Sequence, residues 1–295
     1  MYLLRKAVML PSLISPWTRI VEYPENHLND FCIFNGPDNR WHVIGIMGTG
    51  TWDSEISLFH CSNRDLYGPY RIHPPLLKDL AKGRTRNDAP QKHAPFVFVR
   101  HDTCFMFLRR PMGTNLLLKS NDPFRWPTEP RVLFEENDAR DACIQEFDGI
   151  YHWYYCQWRE VDGIGRSCIL LRRSRNLEDW DNPVVVHVDT SREVRHSHLQ
   201  SPFVVFTDDC YWMFIRNRSM DDRCVTTVFR ADSPDRFAFG TEMWDCEMEG
   251  VHAAELVTVN GQWHIARVSG PPGGFPGAPE AGGWVEIAPL RFDGD

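Results

Sequence analysis

The chain holds no apolar run that approaches the roughly 20 residues of a membrane-spanning helix, so no membrane partner is expected. Apolar residues almost never recur at the helical period, which sets aside helical and alternating helix–strand classes. Positive charge is in short supply: 32 Lys and Arg stand against 40 Asp and Glu, and the net charge of −8 argues against nucleic acid as a partner. The first residues, MYLLRKAVMLPSLISPW, carry two basic side chains and an apolar run broken by Pro11, without a small-residue cleavage site. That pattern is not a secretory signal, and a cytoplasmic location is expected. The nine cysteines, an odd number, include no pair at metal-site spacing. Cys32 and Cys143 fall in expected core strands and read as reduced thiols acting as small hydrophobes. No metal and no cofactor are expected. No linker divides the 295 residues, and the tract Gly270 to Gly283 reads as a long loop inside the last part of the fold.

What the chain does have is a repeat. Its copies are NDFCIFNGPDNRWHVIGI from Asn29, HAPFVFVRHDTCFMFLRR from His93, RDACIQEFDGIYHWYYC from Arg140, QSPFVVFTDDCYWMFIRN from Gln200 and HAAELVTVNGQWHIARV from His252. Each reads as a short opening with small or Pro residues, an apolar strand, an Asp/Asn/Gly turn and an aromatic strand. A third apolar segment follows, as in ISLFHCSNRDLYGPY and ILLRRSRNLEDWDNP, and several copies add a fourth, such as Arg131 to Phe134 and Val184 to Val188. Taking Phe31, Pro95, Ala142, Pro202 and Ala254 as equivalent, the units are about 47 to 64 residues apart. Four short strands per unit, five units and turn signals between them predict an all-β, five-bladed β-propeller. The whole of 1–295 is then one domain, with the first strands of the blades starting near residues 30, 94, 141, 201 and 253.

In a propeller the first strand of every blade lines the central axis, so the residues opening these strands converge on one mouth. Ala94-Pro95 and Ser201-Pro202 show the small pattern that packing alone would select. Asp30 and Asp141 depart from it. Two carboxylates facing each other across a narrow mouth cost electrostatic energy unless the charge is used, which marks them as candidate functional residues.

These openings also carry a resemblance. His27-Leu28-Asn29-Asp30 followed by Trp41-His42 resembles the first-blade motif of glycoside hydrolase family 32, and Arg140-Asp141-Ala142 resembles its Arg-Asp-Pro motif. His93-Ala94-Pro95 and Ser201-Pro202-Phe203 are more similar to glycoside hydrolase family 43, the arabinanase and xylosidase group. Both families are five-bladed propellers, and the short motifs extend over nearly the whole chain. The resemblance implies a glycosidase acting on an oligosaccharide or glycoside, with a furanoside-type sugar expected. Asp30 would attack the anomeric carbon or activate water to do so. Asp141 would orient the sugar and support an oxocarbenium-like transition state, with Arg140 keeping it ionised.

The family's general acid is a Glu immediately before the small-Pro pair of the fourth blade, and this chain has Gln200 there. A primary amide cannot protonate a departing alkoxide at neutral pH. Three explanations stand: a deliberate Glu→Gln change, an acid supplied by Glu255, His196, His198 or Glu193, or a sugar-binding propeller that has lost catalysis. Hairpin geometry adds Arg109, Arg110, Gln157, Trp158, Arg216, Arg218 and Arg267 near the mouth, where Trp158 could stack on a sugar and the arginines could hold hydroxyls or an acidic group. Asn29, His93 and His252 are further candidate substrate contacts, or structural polar residues. An Arg-rich mouth also leaves a glycoside phosphorylase open. Retention or inversion follows from the separation of Asp30 and the acid, and stays undecided in sequence.

Overall fold

The computed structural model describes residues 10–49, 54–55, 57–77, 93–110, 113–195, 197–217, 225–238, 245–269 and 282–292. Among them there are 21 strands and no α-helix. Two short strands, β1 (Ser12–Leu13) and β2 (Thr18–Tyr23), precede the first repeat. Blade one is β3 (His27–Asn35), β4 (Trp41–Gly48), β5 (Ser57–Asn63) and β6 (Arg71–Leu76). Blade two is β7 (His93–Arg100), β8 (Thr103–Arg110), β9 (Thr114–Ser120) and β10 (Arg131–Glu135). Blade three is β11 (Arg140–Phe147), β12 (Ile150–Val161), β13 (Ile164–Ser174) and β14 (Val184–Asp189). Blade four is β15 (Leu199–Thr207), β16 (Cys210–Asn217), β17 (Thr226–Ala231) and β18 (Cys246–Met248). Blade five has β19 (His252–Val259), β20 (Gln262–Ser269) and β21 (Gly283–Arg291).

Every blade is an antiparallel meander, as the repeat implied. Its hairpins are tight because the turn residues accept left-handed backbone. Asp148-Gly149, Asp162-Gly163 and Asn260-Gly261 have positive φ at both positions, and so do the less permissive pairs His101-Asp102 and Asp208-Asp209. Two such residues make the turn whose twist matches the flanking strands. The expected aromatic strands form the packing between blades: Trp153, Tyr154 and Tyr155 on β12, Trp212 and Phe214 on β16 and Phe107 on β8 are fully buried. Phe107 meets Trp153 edge-on at 5.0 Å. Each such side chain contributes roughly 1.5–3 kcal/mol of burial, before the conformational entropy that opposes it. Cys32 and Cys143 are buried free thiols, and the eight described cysteines form no disulfide.

Blade five holds a feature the repeat did not announce. Its outer edge is completed from the other end of the chain, with Thr18 opposite Ile287, Tyr23 opposite Gly283 and Ser12 opposite Arg291. The N-terminal strands thus cover the free edge of β21 and join the two ends of the ring in one sheet. The segment containing most of Gly270 to Gly283 lies outside the described residues; it links the paired neighbours β20 and β21. The first strands β3, β7, β11, β15 and β19 touch in sequence order, and β19 returns to β3.

Candidate active site

Register shows why the opening residues share a place. Asn29 pairs with Ile46, His93 with Arg109, Arg140 with Cys156, Gln200 with Arg216 and His252 with Val268, and after each pair the ladder slips by one residue. The slip is a β-bulge, which leaves one residue unpaired and turns it out of the sheet. In blade one that residue is Asp30; in the other blades two residues face one, and the first of each two is Ala94, Asp141, Ser201 or Ala253. Four of them have left-handed backbone, with φ of 45° at Ala94, 62° at Asp141, 46° at Ser201 and 50° at Ala253. A non-glycine residue in that region costs about 1 kcal/mol or more, and strain of this kind gathers at functional sites. All five line one axial cavity of about 20 Å³, room for about one water, together with Glu255.

Ser201 ties the carboxylates together. Its hydroxyl donates to Asp30 Oδ1 at 3.2 Å, and its backbone N–H donates to Asp141 Oδ2 at 3.1 Å. Asp141 is buried, and Arg140 Nε lies 3.6 Å from its Oδ2. Arg140 is itself held by Asp138 Oδ1 at 2.5 Å and by the carbonyl of Ser197 at 2.6 Å, so blade three's carboxylate sits against a fixed cation. Asp30 is more open, with 22% of its side chain exposed. Burial, the charge of Asp141 and the charge of Glu55 push its carboxyl well above the usual carboxylate range, while the Ser201 hydrogen bond and Arg140 oppose them.

A buried polar chain runs behind Asp30. Arg216, fully buried, donates its Nε to His252 Nδ1 at 3.3 Å; a guanidinium only donates, so Nδ1 accepts and the ring hydrogen is on Nε2. Nε2 donates to Asn29 Oδ1 at 3.0 Å and lies 3.9 Å from Asp30 Oδ1. Asn29 Nδ2 then donates to Glu55 Oε1 at 3.0 Å, which His27 Nε2 also meets at 3.3 Å. Asn29 and His252 therefore flank the carboxylate, each bonded within the chain. Arg216 corrects the sequence reading: it has no exposed surface for a ligand and orients His252 instead.

The other candidates separate. His93 is buried in blade two opposite Arg109, at the level of Asn29 and Gln200. Trp158 donates its indole N–H to the Val194 carbonyl at 2.7 Å, and Gln157 reaches the Asn137 carbonyl at 2.7 Å, so both brace the loops leading to β11 and β15. Arg110 is half-buried at the end of β8. Arg267 turns into its own blade, bonding Glu286 and stacking 4.2 Å from Trp17, and takes no part in the mouth. His198 is buried against Asp189, and Glu193 is exposed in the preceding loop. His196 and Arg218 lie outside the described residues. Glu255 sits two residues past the blade-five bulge, in the register that holds Cys32, Phe96, Cys143 and Phe203 elsewhere. Burial and the nearby charge of Asp30 raise its carboxyl well above the usual range, against a hydrogen bond from the Ile33 backbone. Gln200 is half-buried at the mouth, and its side chain makes no hydrogen bond within the described residues.

Ser201, Glu55 and Asp138 were missed in sequence. Ser201 stood inside a quoted motif, and only its register beside Asp30 and Asp141 reveals its role. Glu55 and Asp138 belong to no motif.

No protein-family model matches this chain, and no curated protein matches it in sequence. Its architecture, however, is shared with solved structures. A thermostable family-43 glycoside hydrolase superposes with a TM-score of 0.68 at 16% identity, over 91% of each chain. A family-43 enzyme from Xanthomonas citri complexed with xylose gives 0.65 at 12% identity, over 96% of this chain and 90% of that one. An exo-1,5-α-L-arabinanase from a bovine ruminal metagenomic library gives 0.62 at 11% identity, over 92% and 95%. The fold is that of the family-43 propellers. At these identities the likeness speaks for the architecture, and the chemistry has to be argued from the mouth.

Proposed function

We propose that the axial mouth processes glycosides, with Asp30 acting on the anomeric carbon directly or through water and Asp141 supporting the positive charge that develops there. One observation carries the reading: the two carboxylates occupy equivalent bulges of blades one and three and are joined by Ser201 over a water-sized cavity. Their environments differ as the two roles require. A raised carboxyl makes a stronger base, which suits Asp30. A carboxylate fixed by a cation and a backbone N–H suits the stationary electrostatic role of Asp141. The similar structures include one complexed with xylose and an arabinanase, so xylosides and arabinofuranosides are the first sugars to test, with fructofuranosides beside them.

The phosphorylase alternative draws less support, because Arg140, Arg216 and Arg267 are committed to partners within the chain. The test is turnover of activated glycosides by the wild type, Gln200→Glu and Asp30→Asn. Hydrolysis that falls by about 10³-fold or more in Asp30→Asn supports the assignment. Sugar binding without turnover in either of the first two proteins leaves a binding module in its place.

A further inference from the structure

We propose that the substrate is a glycoside whose leaving group departs as an anion at neutral pH, an acyl glycoside or a glycoside of an acidic phenol, and not a sugar–sugar linkage. This rests on the glycoside-processing reading of the mouth. The acid of a glycosidase is needed because an alkoxide is a poor leaving group, and a leaving group that is itself the anion of a stronger acid has no such need. Gln200 precedes the residue that binds both carboxylates, and its amide is free of partners in the described structure. Its NH₂ can donate a hydrogen bond to charge growing on a leaving oxygen without giving up a proton.

The neighbouring groups do not replace a missing acid. His252 accepts from Arg216 at Nδ1 and spends its Nε2–H on Asn29. His198 is held in the interior by Asp189. Glu55 receives Asn29 and His27, and Asp138 receives Arg140 and the backbone N–H groups of Trp158 and Ser197. Glu255 lines the same water-sized cavity as Asp30 but is buried there, two residues past the bulge and in the register of core side chains in the other blades. Among the described residues, then, the carboxyls of the cavity are Asp30, Asp141 and the buried Glu255, and none of them stands at position 200, where the chain has an amide.

Charge points the same way. A departing carboxylate or phenolate meets Asp30 and Asp141, and a third carboxylate at position 200 would add to the repulsion. An amide there removes it. The same two aspartates disfavour a dianionic phosphate as leaving group, whereas an acyl or aryl glycoside is neutral on arrival.

The step balances without a protein acid. The bond between the anomeric carbon and the leaving oxygen breaks with both electrons passing to that oxygen, which leaves as carboxylate or phenolate. Water supplies the new oxygen at the anomeric carbon, and its proton passes to Asp30 and on to solvent. If Asp30 attacks first, the same water is consumed and the same proton released in the second displacement.

The experiment is a leaving-group series on arabinofuranosyl and xylosyl donors: benzoyl, 2,4-dinitrophenyl, 4-nitrophenyl and methyl glycosides, and the corresponding disaccharides. The wild type is expected to turn over the benzoyl and dinitrophenyl members at least about 10³-fold faster than the methyl glycosides and disaccharides, beyond their difference in spontaneous hydrolysis. Gln200→Glu should raise the rate on methyl glycosides and disaccharides by about 10²-fold or more while changing the benzoyl rate only a few-fold. Wild-type hydrolysis of disaccharides at rates comparable to the activated members overturns the inference and leaves the glycosidase reading intact. If neither protein hydrolyses any member, or Asp30→Asn is as active as the wild type, the glycosidase reading itself fails and takes the inference with it.

Discussion

Asp30 on blade one and Asp141 on blade three stand at the same bulge of the same strand, yet their surroundings give them opposite characters. Asp141 has left-handed backbone, sits buried 3.6 Å from Arg140 and receives a backbone N–H. Asp30 is not among the residues with positive φ, is partly open to the mouth, has no cation of its own in contact and feels Asp141 and Glu55 as repelling charges. Blade three sets its carboxylate against a cation and a backbone N–H, and blade one sets its carboxylate among like charges. The difference lies both in the backbone at the bulge and in the residues behind it.

Several substitutions would break this comparison or sharpen it. The largest effect is expected from Asp30→Asn, which should lower kcat/KM on an activated glycoside by about 10³-fold or more, whereas Asp141→Asn should cost about 10²-fold. The reverse order would exchange the two roles. Asp141→Asn should also move the acidic limb of the pH–rate profile to lower pH. The charge of Asp141 raises the Asp30 carboxyl, so removing it lets Asp30 ionise sooner. A limb that stays in place in the residual activity would show that the two are not coupled.

Ser201→Ala should act more gently. It deletes the hydroxyl that holds Asp30 down and keeps the backbone N–H on Asp141, so the limb should move to higher pH with a loss of up to about tenfold in kcat/KM. The smallest effect is on stability. A carboxyl raised by folding is most favourable below its ordinary value, where both states are protonated, and loses stability as pH rises toward its raised value. Asp30→Asn should therefore raise Tm by about 2 °C at alkaline pH and leave it nearly unchanged near pH 3, read by thermal melts at both. Glu255→Gln should follow the same direction, because its carboxyl is also raised.

The architecture was legible because it is written as a local pattern. Turn pairs such as Asp162-Gly163 and Asn260-Gly261 take the left-handed backbone that tight hairpins demand, and alternating apolar and aromatic residues mark strands buried between blades. The closing strands β1 and β2 were hidden, since their partner β21 lies more than 250 residues away and no local period announces the pairing. Arg216 misled for a related reason. Its position at the end of a strand predicts level, which is correct, but not the direction of the side chain, which turns inward to His252.

The sequence by itself determined the five-fold plan, the shared place of Asp30 and Asp141 and the amide at position 200, because all three follow from a repeat read in register. The tertiary structure alone decided that Ser201 links the two carboxylates, that Arg140 stands against one of them and Glu55 against the other, and that the histidines nearby are already engaged. Those contacts join residues from different blades or from loops outside the repeat. Electrostatic character depends on such distances in space, and the spacing along a chain does not contain them.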